Sequence, residues 1–184
     1  MIGRRSEQDE ITLVRKATEG ESPAFGALYD KYQPSIYRFI FLKVSHREEA
    51  EDLTHQVFLS AWEHIGSFRH GDIPFASWLY RIARNKVIDH YRTRKIHIPL
   101  ETAPEEIMAL DAEMAGQIDT RAQLKSVYRA LMRLSDDQRD ILIMRFVNEL
   151  SYKDIAHALN KNQATVRVIQ YRALARLKKL LDQF

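Results

Sequence analysis

A segment without a single basic residue divides the chain into two parts that are rich in helix signals. Residues 97–120 carry six acidic side chains, two prolines and only weak hydrophobic periodicity. Residues 1–96 carry 15 basic and 13 acidic side chains, and residues 121–184 carry 13 basic and six acidic ones. A polar segment of one charge sign favours an extended, solvated tether. The sequence therefore predicts an all-α protein of two small helical domains, 1–96 and 121–184, joined by an acidic linker, 97–120.

Helix starts are predicted in both domains. Ser22, followed by Pro23, is a cap that opens a helix over "PAFGALYDKY". Ser135 and Gln138 form a possible capping box for "DDQRDILIMRFVNEL". The core of that segment is apolar nearly all the way round, so we expect it to be buried.

Composition excludes several kinds of site. The chain has no cysteine, so it has neither disulfides nor thiolate ligands for a metal. No apolar run approaches the roughly 18 residues that a membrane span needs, and residues 1–20 lack the hydrophobic core of a signal peptide. We therefore expect a cytoplasmic protein that does not insert into membranes and needs no cofactor.

Residues 151–177 have the pattern of a short helix, a polar break and a longer basic helix. Ser151 and Asp154 form a capping box for the first helix, Asn160 can end it, and Asn162 can cap the second. The second helix has one apolar stripe at helical spacing. Its members are Val166, Ile169, Ala173, Leu177 and Leu180. This pattern is typical of a helix-turn-helix.

The opposite face of the last helix is basic. Between Gln163 and Lys179 there are five basic residues and no acidic one. Small residues let a helix approach the major groove, arginine can pair with guanine, and the N-terminal amides can bind phosphate. Duplex DNA is predicted to contact Asn162, Gln163, Thr165, Arg167, Val168, Tyr171 and Arg172. The alternative is a packed helical hairpin with a solvated basic face.

The helix predicted to begin at Pro74 carries a second polar row, separate from the apolar side formed by Phe75, Trp78 and Leu79. Cations that follow phosphates, beside aromatic rings, suit single-stranded nucleic acid, and an asparagine can read a base edge. The candidate residues are Phe68, Arg81, Arg84, Asn85, Ile88 and Arg92. The alternative is that the aromatic residues belong to the core and the basic row is only solvated.

A third surface lies on the helix predicted to run from Ser45, with a capping box to Glu48, to about Ile65. Its outward face sets apolar side chains among acids, as a protein-binding patch with a polar rim does. The candidate residues are Asp52, His55, Gln56, Leu59 and Trp62. The alternative is that another helix of the same domain covers them.

The chain resembles a bacterial sigma factor of the extracytoplasmic-function (ECF) group. "EEAEDLTHQVFLSAWEHIGSF", followed by "FASWLYRIARNKVIDHYRTRK", resembles region 2 of that family. "LSDDQRDILIMRFVNELSYKDIAHALNKNQATVRVIQYRALARLKKLL" resembles region 4. With the preceding "FGALYDKYQPSIYRFIF", the resemblance covers roughly residues 10–95 and 122–182. It implies a transcription initiation factor that is not an enzyme.

The resemblance also implies a role for each surface. The helix matching Asp52–Trp62 would dock on the clamp coiled coil of the largest subunit of core RNA polymerase. Loop 66–74 and the row Arg81–Arg92 would melt and read the −10 promoter element as single-stranded DNA, and the last helix would read the −35 element as duplex. An anti-sigma factor is a common partner in the family, but no residue pattern here identifies one.

Two other functions fit parts of the sequence. A stand-alone helix-turn-helix regulator would explain residues 121–184 but leaves the first two surfaces without a role, and binding to core polymerase discriminates between the two. An enzyme would need a histidine–carboxylate site. His46, His55 and His64 are nine residues apart, which does not bring them together on a metal, and no HExxH spacing occurs.

Overall fold

A computed structural model of the chain describes residues 2–69, 71, 73–94 and 118–183, with side chains for 9–69, 71, 73–93 and 123–183. These residues confirm the all-α prediction. The helices are α1 (Ile2–Thr18), α2 (Ser22–Val44), α3 (Arg47–His64), α4 (Phe75–Arg94), α5 (Ile118–Met132), α6 (Asp136–Leu142), α7 (Tyr152–Leu159) and α8 (Gln163–Leu181). A 3₁₀ turn (Ile65–Ser67) follows α3, and a π-helical segment (Ile143–Val147) follows α6.

The predicted linker lies outside the described residues, except that α5 begins at Ile118, within its last residues.

Helices α1 to α4 pack around one apolar core. Its largest fully buried side chains include Leu28, Phe39, Leu79 and Tyr80. Helix α2 is longer than the predicted segment because it continues through Pro34 and ends only at Val44. The apolar side of α3, predicted from its spacing, is buried as expected. The outward face of α3 is thereby fixed toward solvent.

Two predicted cap positions are wrong. Ser45 has φ 58° and ends α2, donating its N–H to the Phe41 carbonyl oxygen over 2.8 Å. An N-cap residue needs an extended backbone, so the left-handed Ser45 cannot also start α3. His46 takes that place with φ −138°, and its ring nitrogen accepts the Glu49 N–H over 3.4 Å. Likewise Ser22 lies inside α2, and Glu21 is the cap.

The cap signals of the C-terminal half are confirmed. Ser135 forms a capping box that opens α6. Ser151 Oγ accepts a backbone N–H at the start of α7 over 3.1 Å, and Asn160 ends α7 with φ 51°. Asn162 Oδ1 accepts the Thr165 N–H over 2.7 Å, which fixes the first turn of α8. These caps set the angle between α7 and α8 and hold the α8 N-terminus outward.

The segment after α6 differs from the prediction that it is buried nearly all round. There the helix widens to a π-turn, in which the Asn148 N–H donates to the Ile143 carbonyl oxygen over 3.0 Å. The wider turn changes which side chains face the core. Phe146 is 57% exposed and Val147 36% exposed. Both side chains lie outside the core, whereas those of Ile143 and Met144 are buried.

The two halves of the chain pack against each other. Helix α7 lies along α4, and α2 contacts the π-helical segment. Ile141 of α6 and Ile155 of α7 belong to the same apolar cluster as Phe39 and Leu79. The Asn148 side chain also donates to the Ser35 carbonyl oxygen of α2 over 2.9 Å. The described helices therefore form one closed arrangement.

We predict that Asn162→Ala lowers the free energy of unfolding by about 1 kcal/mol, because the Thr165 amide loses its cap. Gln163→Ala is the matched control, since Gln163 is the next exposed polar residue, and it should change stability by less than about 0.5 kcal/mol. Urea unfolding followed by circular dichroism measures both. Equal effects of the two substitutions would contradict the capping role.

Candidate polymerase and nucleic-acid interfaces

The outward face of α3 stays exposed among the described residues. Asp52, His55 and Gln56 are exposed. Leu59 is 58% exposed and Trp62 is 38% exposed. The alternative that a neighbouring helix buries these two apolar side chains is therefore wrong for this arrangement. A large exposed leucine and tryptophan beside acids are typical of surfaces that bind another protein.

Helix α2 adds aromatic side chains to this face that the sequence did not point to. The Phe25 ring lies 5.0 Å from the Trp62 ring, centroid to centroid, and the Tyr29 ring lies 4.7 Å from that of Phe58. Together they form a shallow groove of about 340 Å³. Its lining is Phe25, Tyr29, His55, Phe58, Leu59 and Trp62. The tilted ring contact with Phe25 restrains Trp62, so the patch is preorganised.

The polar row on α4 is divided into an exposed part and a covered part. In the exposed part, Asn85 is open to solvent, Ile88 is 38% exposed, and the Arg92 side chain is 80% exposed, with an ion pair of 3.1 Å to Asp89. These three lie on the C-terminal half of α4. They remain available to a nucleic acid in the arrangement described.

The covered part of the row contacts the C-terminal half of the chain. The Arg81 guanidinium donates to the His157 carbonyl oxygen of α7. Arg84 Nε donates to an Asp140 carboxylate oxygen over 2.8 Å, and its terminal nitrogen donates to Asp137 over 2.9 Å. Both acids lie on α6. Two of the three arginines predicted to bind single-stranded DNA are thus bound within the molecule.

Phe68 is largely inside an aromatic cluster. It is 9% exposed, and its ring centroid lies 5.6 Å from that of Phe75 and 5.0 Å from that of Trp78. Phe75 is buried and Trp78 is half-buried. Both rings therefore belong to the core, which is the alternative given above. Little of the Phe68 ring can stack on a base unless the loop before α4 moves.

The basic face of α8 is exposed over its whole length. All seven predicted residues from Asn162 to Arg172 are exposed, with Val168 at 48% and Tyr171 at 76%. The apolar stripe faces the core as predicted, with Val166 and Ala173 buried. Helix α7 packs against α8, and its residues Ile155, Ala156 and Leu159 are buried. The two helices have the arrangement of a helix-turn-helix with its second helix presented to solvent.

One aromatic ring orients two arginines beside this face. The guanidinium carbon of Arg167 lies 4.9 Å from the Tyr152 ring centroid, and that of Arg145 lies 4.8 Å from it. Arg145 also donates to the Leu150 carbonyl oxygen over 2.9 Å. The cation–π contact restrains Arg167 at the start of α8.

Sequence reasoning missed the most deeply buried charges. Lys43 is 2% exposed and Asp140 is fully buried, and they form an ion pair between α2 and α6. Burial lowers the pKa of the Lys43 ammonium, and the Asp140 carboxylate opposes that shift. The only signal was a charged residue inside an apolar run, in "FIFLKV" and "RDILIM". That signal does not identify which residue each buried charge pairs with.

Two tyrosines of α4, Tyr80 and Tyr91, are wholly or partly buried. Burial raises the pKa of Tyr80 and of Tyr91 to about 12, so both phenols are neutral at physiological pH. The Tyr91 hydroxyl donates to the Lys43 carbonyl oxygen over 2.7 Å. This hydrogen bond fixes α4 on the end of α2.

Among the described residues, no three histidine or carboxylate side chains come close enough to hold a metal ion. In the same part of the chain, no helix is both apolar enough and long enough to cross a membrane.

We predict that Tyr152 and Arg167 are energetically coupled. In a double-mutant cycle with Tyr152→Leu and Arg167→Met, the coupling energy should be about 0.5–1 kcal/mol in urea unfolding, because each substitution removes the same cation–π contact. The cycle with Arg172→Met, which lies on the same helix, should be additive. A coupling energy below about 0.3 kcal/mol between Tyr152 and Arg167 would contradict the cation–π contact.

Comparison with known proteins gives the same two regions. Residues 28–96 match the family described as "Sigma-70 region 2", and residues 130–179 match "Sigma-70, region 4". The chain is 35% identical over 173 residues to the ECF RNA polymerase sigma factor BldN of Streptomyces coelicolor, covering 93% of this chain and 65% of BldN. It is 34% identical over 180 residues to the ECF RNA polymerase sigma factor SigM of Mycobacterium tuberculosis, covering 98% of this chain and 88% of SigM.

A solved structure has a similar arrangement. The sigma factor RpoE from Bartonella quintana, in complex with the anti-sigma factor NepR, matches with a TM-score of 0.65 and 26% identity over 86% of this chain and 96% of that chain. The matches to both family regions, the similarity to two relatives and the shared fold all indicate the same family. The chain belongs to the ECF group of the sigma-70 family, whose members are RNA polymerase sigma factors.

Proposed function

We propose that this chain directs core RNA polymerase to promoters through three separate surfaces. Helix α3 docks on the polymerase, α4 reads the −10 element as single-stranded DNA, and α8 reads the −35 element as duplex. The observation that carries the proposal is the exposed Leu59 and Trp62 patch on the region 2 half of a sigma factor. We keep residues 1–96 and 121–184 as the two functional units, with 97–120 as the linker between them.

The α3 face suits a protein partner with apolar and basic side chains. Leu59 and Trp62 supply the apolar contact, and the groove beside them can accept one side chain of the partner. Tryptophan at the centre of such a patch is a frequent source of binding energy. Asp52 at the rim supplies charge complementarity and orientation. The clamp coiled coil of core polymerase is the proposed partner.

The α4 row suits an unpaired strand. Asn85 is exposed and can donate to or accept from the edge of a flipped base. Ile88 provides an apolar surface next to it, and Arg92 supplies a cation for the phosphate backbone. Arg81 and Arg84 extend this row toward the N-terminus of α4 once they leave their internal partners. Phe68 lies at the same end of the helix.

The α8 face suits the major groove. Arg167 and Arg172 can reach guanine edges or phosphates, and Val168 can contact a thymine methyl group. Gln163, Thr165 and the backbone amides at the N-terminus of α8 can donate to a phosphate. The Asn162 cap, which accepts the Thr165 N–H, fixes that turn. Tyr171, the most exposed aromatic of the helix, extends the contact along the backbone.

Each DNA surface alone is small, so each binds weakly. When polymerase holds both at one spacing, the second contact becomes intramolecular, and the two binding energies combine. The chain itself breaks no bond and needs no cofactor, and it acts in the cytoplasm, where the polymerase acts. An anti-sigma factor is a proposed further partner, because the similar RpoE was solved in complex with NepR. A stand-alone regulator would leave the α3 face without a role.

We predict that Asp52→Arg lowers affinity for purified core RNA polymerase by a factor of about 10 or more, through charge reversal at the rim. Leu59→Ala should cost about 2 kcal/mol of binding free energy, because it removes an apolar anchor. Equilibrium binding of fluorescently labelled chain to core polymerase measures both effects.

Glu51→Arg is the matched control. It has the same charge change one residue away, but Glu51 lies on another side of α3 and pairs with Arg47 over 2.9 Å. Its affinity should stay within about twofold of wild type. If the wild-type chain ignored core polymerase and still bound duplex DNA, the stand-alone regulator would replace the present proposal.

We predict that Asn85→Ala and Arg167→Ala alter different halves of the preferred DNA sequence. Holoenzyme assembled from core polymerase and this chain would select duplexes from a random-sequence library, and sequencing would give the upstream and downstream motifs. Asn85→Ala should relax the downstream motif and Arg167→Ala the upstream one, each removing about 1–3 kcal/mol of discrimination at one base. Loss of both motifs in either variant would contradict the assignment of surfaces.

A further inference from the structure

The phenol ring of Tyr152 is a rigid platform beside the last helix. Tyr152 is the first residue of α7, and the Ser151 cap, which accepts the Asp154 N–H over 3.1 Å, fixes that turn. The half-buried ring packs against the main apolar cluster. A ring that is held by a capped turn and by the core loses little further freedom when another group binds to it.

Arg167 reaches this platform from the first turns of α8. Its guanidinium carbon lies 4.9 Å from the Tyr152 ring centroid, although the residue as a whole is exposed. An unrestrained arginine side chain loses much of its rotamer freedom when DNA fixes it. Because the ring already restrains the guanidinium in the free protein, part of that loss precedes DNA binding.

An aromatic partner leaves the hydrogen-bond donors of Arg167 available. A guanidinium has five N–H donors in a planar fork, and a bidentate carboxylate takes two of them. A phenol ring attracts the cation through its π face and leaves the fork open. Arg167 can therefore be held by Tyr152 and pair with a guanine edge at the same time.

Arg145 contacts the same ring and limits where Arg167 can lie. Its guanidinium carbon lies 4.8 Å from the ring centroid, and its donation to the Leu150 carbonyl oxygen over 2.9 Å holds it in place. The two guanidinium carbons are therefore within about 10 Å of each other, a distance at which like charges repel. The repulsion acts on the less restrained of the two, Arg167, and disfavours positions close to Arg145.

We propose that Tyr152 is a positioning residue for recognition of the −35 element, because its ring presets the Arg167 guanidinium for one base pair. This inference rests on the proposed reading of the −35 element by α8. The base preference of the recognition helix then depends on a side chain of the preceding helix, α7. The ring carries this role, and the phenol hydroxyl does not.

The test measures discrimination at the single base pair that Arg167 reads. That base pair is the upstream position at which holoenzyme with Arg167→Ala no longer prefers one base. Holoenzyme affinities for the four duplexes that differ only there give the discrimination of each variant. Tyr152→Leu should reduce it by a factor of roughly 2 to 5, the size of one exposed cation–π contact, and should leave the other upstream positions unchanged.

Tyr152→Phe is the matched control, because it keeps the ring and removes only the hydroxyl. Its discrimination should equal that of the wild-type chain. In the Arg167→Ala background, Tyr152→Leu should have no further effect at that base pair, since the residue through which it acts is already gone. If Tyr152→Leu lost helix content by circular dichroism, Tyr152→Met, with an unbranched apolar side chain, would replace it.

A second readout follows Arg167 in the free full-length chain. Protons close to the face of an aromatic ring have shifted resonances, so the Arg167 side-chain signals in proton–nitrogen NMR spectra should carry a ring-current shift. Wild type and Tyr152→Phe should show that shift, and Tyr152→Leu should lose it. The spectrum of Arg167→Lys identifies the signals by their disappearance.

Several results would overturn the proposal. Loss of discrimination in Tyr152→Phe would assign the role to the hydroxyl, and an equal loss at every upstream position would show a merely structural role. Unchanged discrimination in Tyr152→Leu, additive losses in the double variant or a wild-type spectrum without the ring-current shift would also contradict it. A wild-type holoenzyme without any upstream preference would instead overturn the proposed function, while the NMR spectra would still report the contact.

Discussion

The ion pair between Lys43 and Asp140 constrains the arrangement of the two halves. Neither charge has access to water, so neither side chain can be placed without the other. The pair brings the first turns of α6 against α2 and α4, and with them the acids that hold Arg84. Apolar packing of α7 on α4 supplies contact area, while the charges fix which residues meet. Burial of matched charges thus gives the interface its register more than its strength.

Local capping geometry places the other surfaces. The left-handed Ser45 turns the chain sharply between α2 and α3, which brings Phe25 beside Trp62 and leaves Leu59 outside. The Asn162 cap sets the first turn of α8 after the left-handed Asn160. In both places one or two residues with unusual backbone angles decide the direction of a whole helix, and the interaction faces follow from helical periodicity.

Features that depend on neighbours in sequence were predictable, and features that depend on distant residues were not. Spacing gave the buried and exposed faces of α3 and α8, and side-chain chemistry gave the caps at Ser135, Ser151 and Asn162. The prediction that Ser45 caps the start of α3 was wrong because serine occurs at either end of a helix. The π-turn that exposes Phe146 and the pairing of Lys43 with Asp140 depend on tertiary packing, which periodicity does not contain.

The long sequence separation of the buried pair has a consequence for synthesis on the ribosome. A chain that grows at 5–20 residues per second needs about 5 to 20 s to make the 97 residues from Lys43 to Asp140. During that time α2 to α4 can fold while Lys43 is hydrated and Arg84 has no carboxylate from α6. A nascent chain therefore carries the proposed −10 surface uncovered, and the contact of α4 with α6 forms only when the last helices emerge.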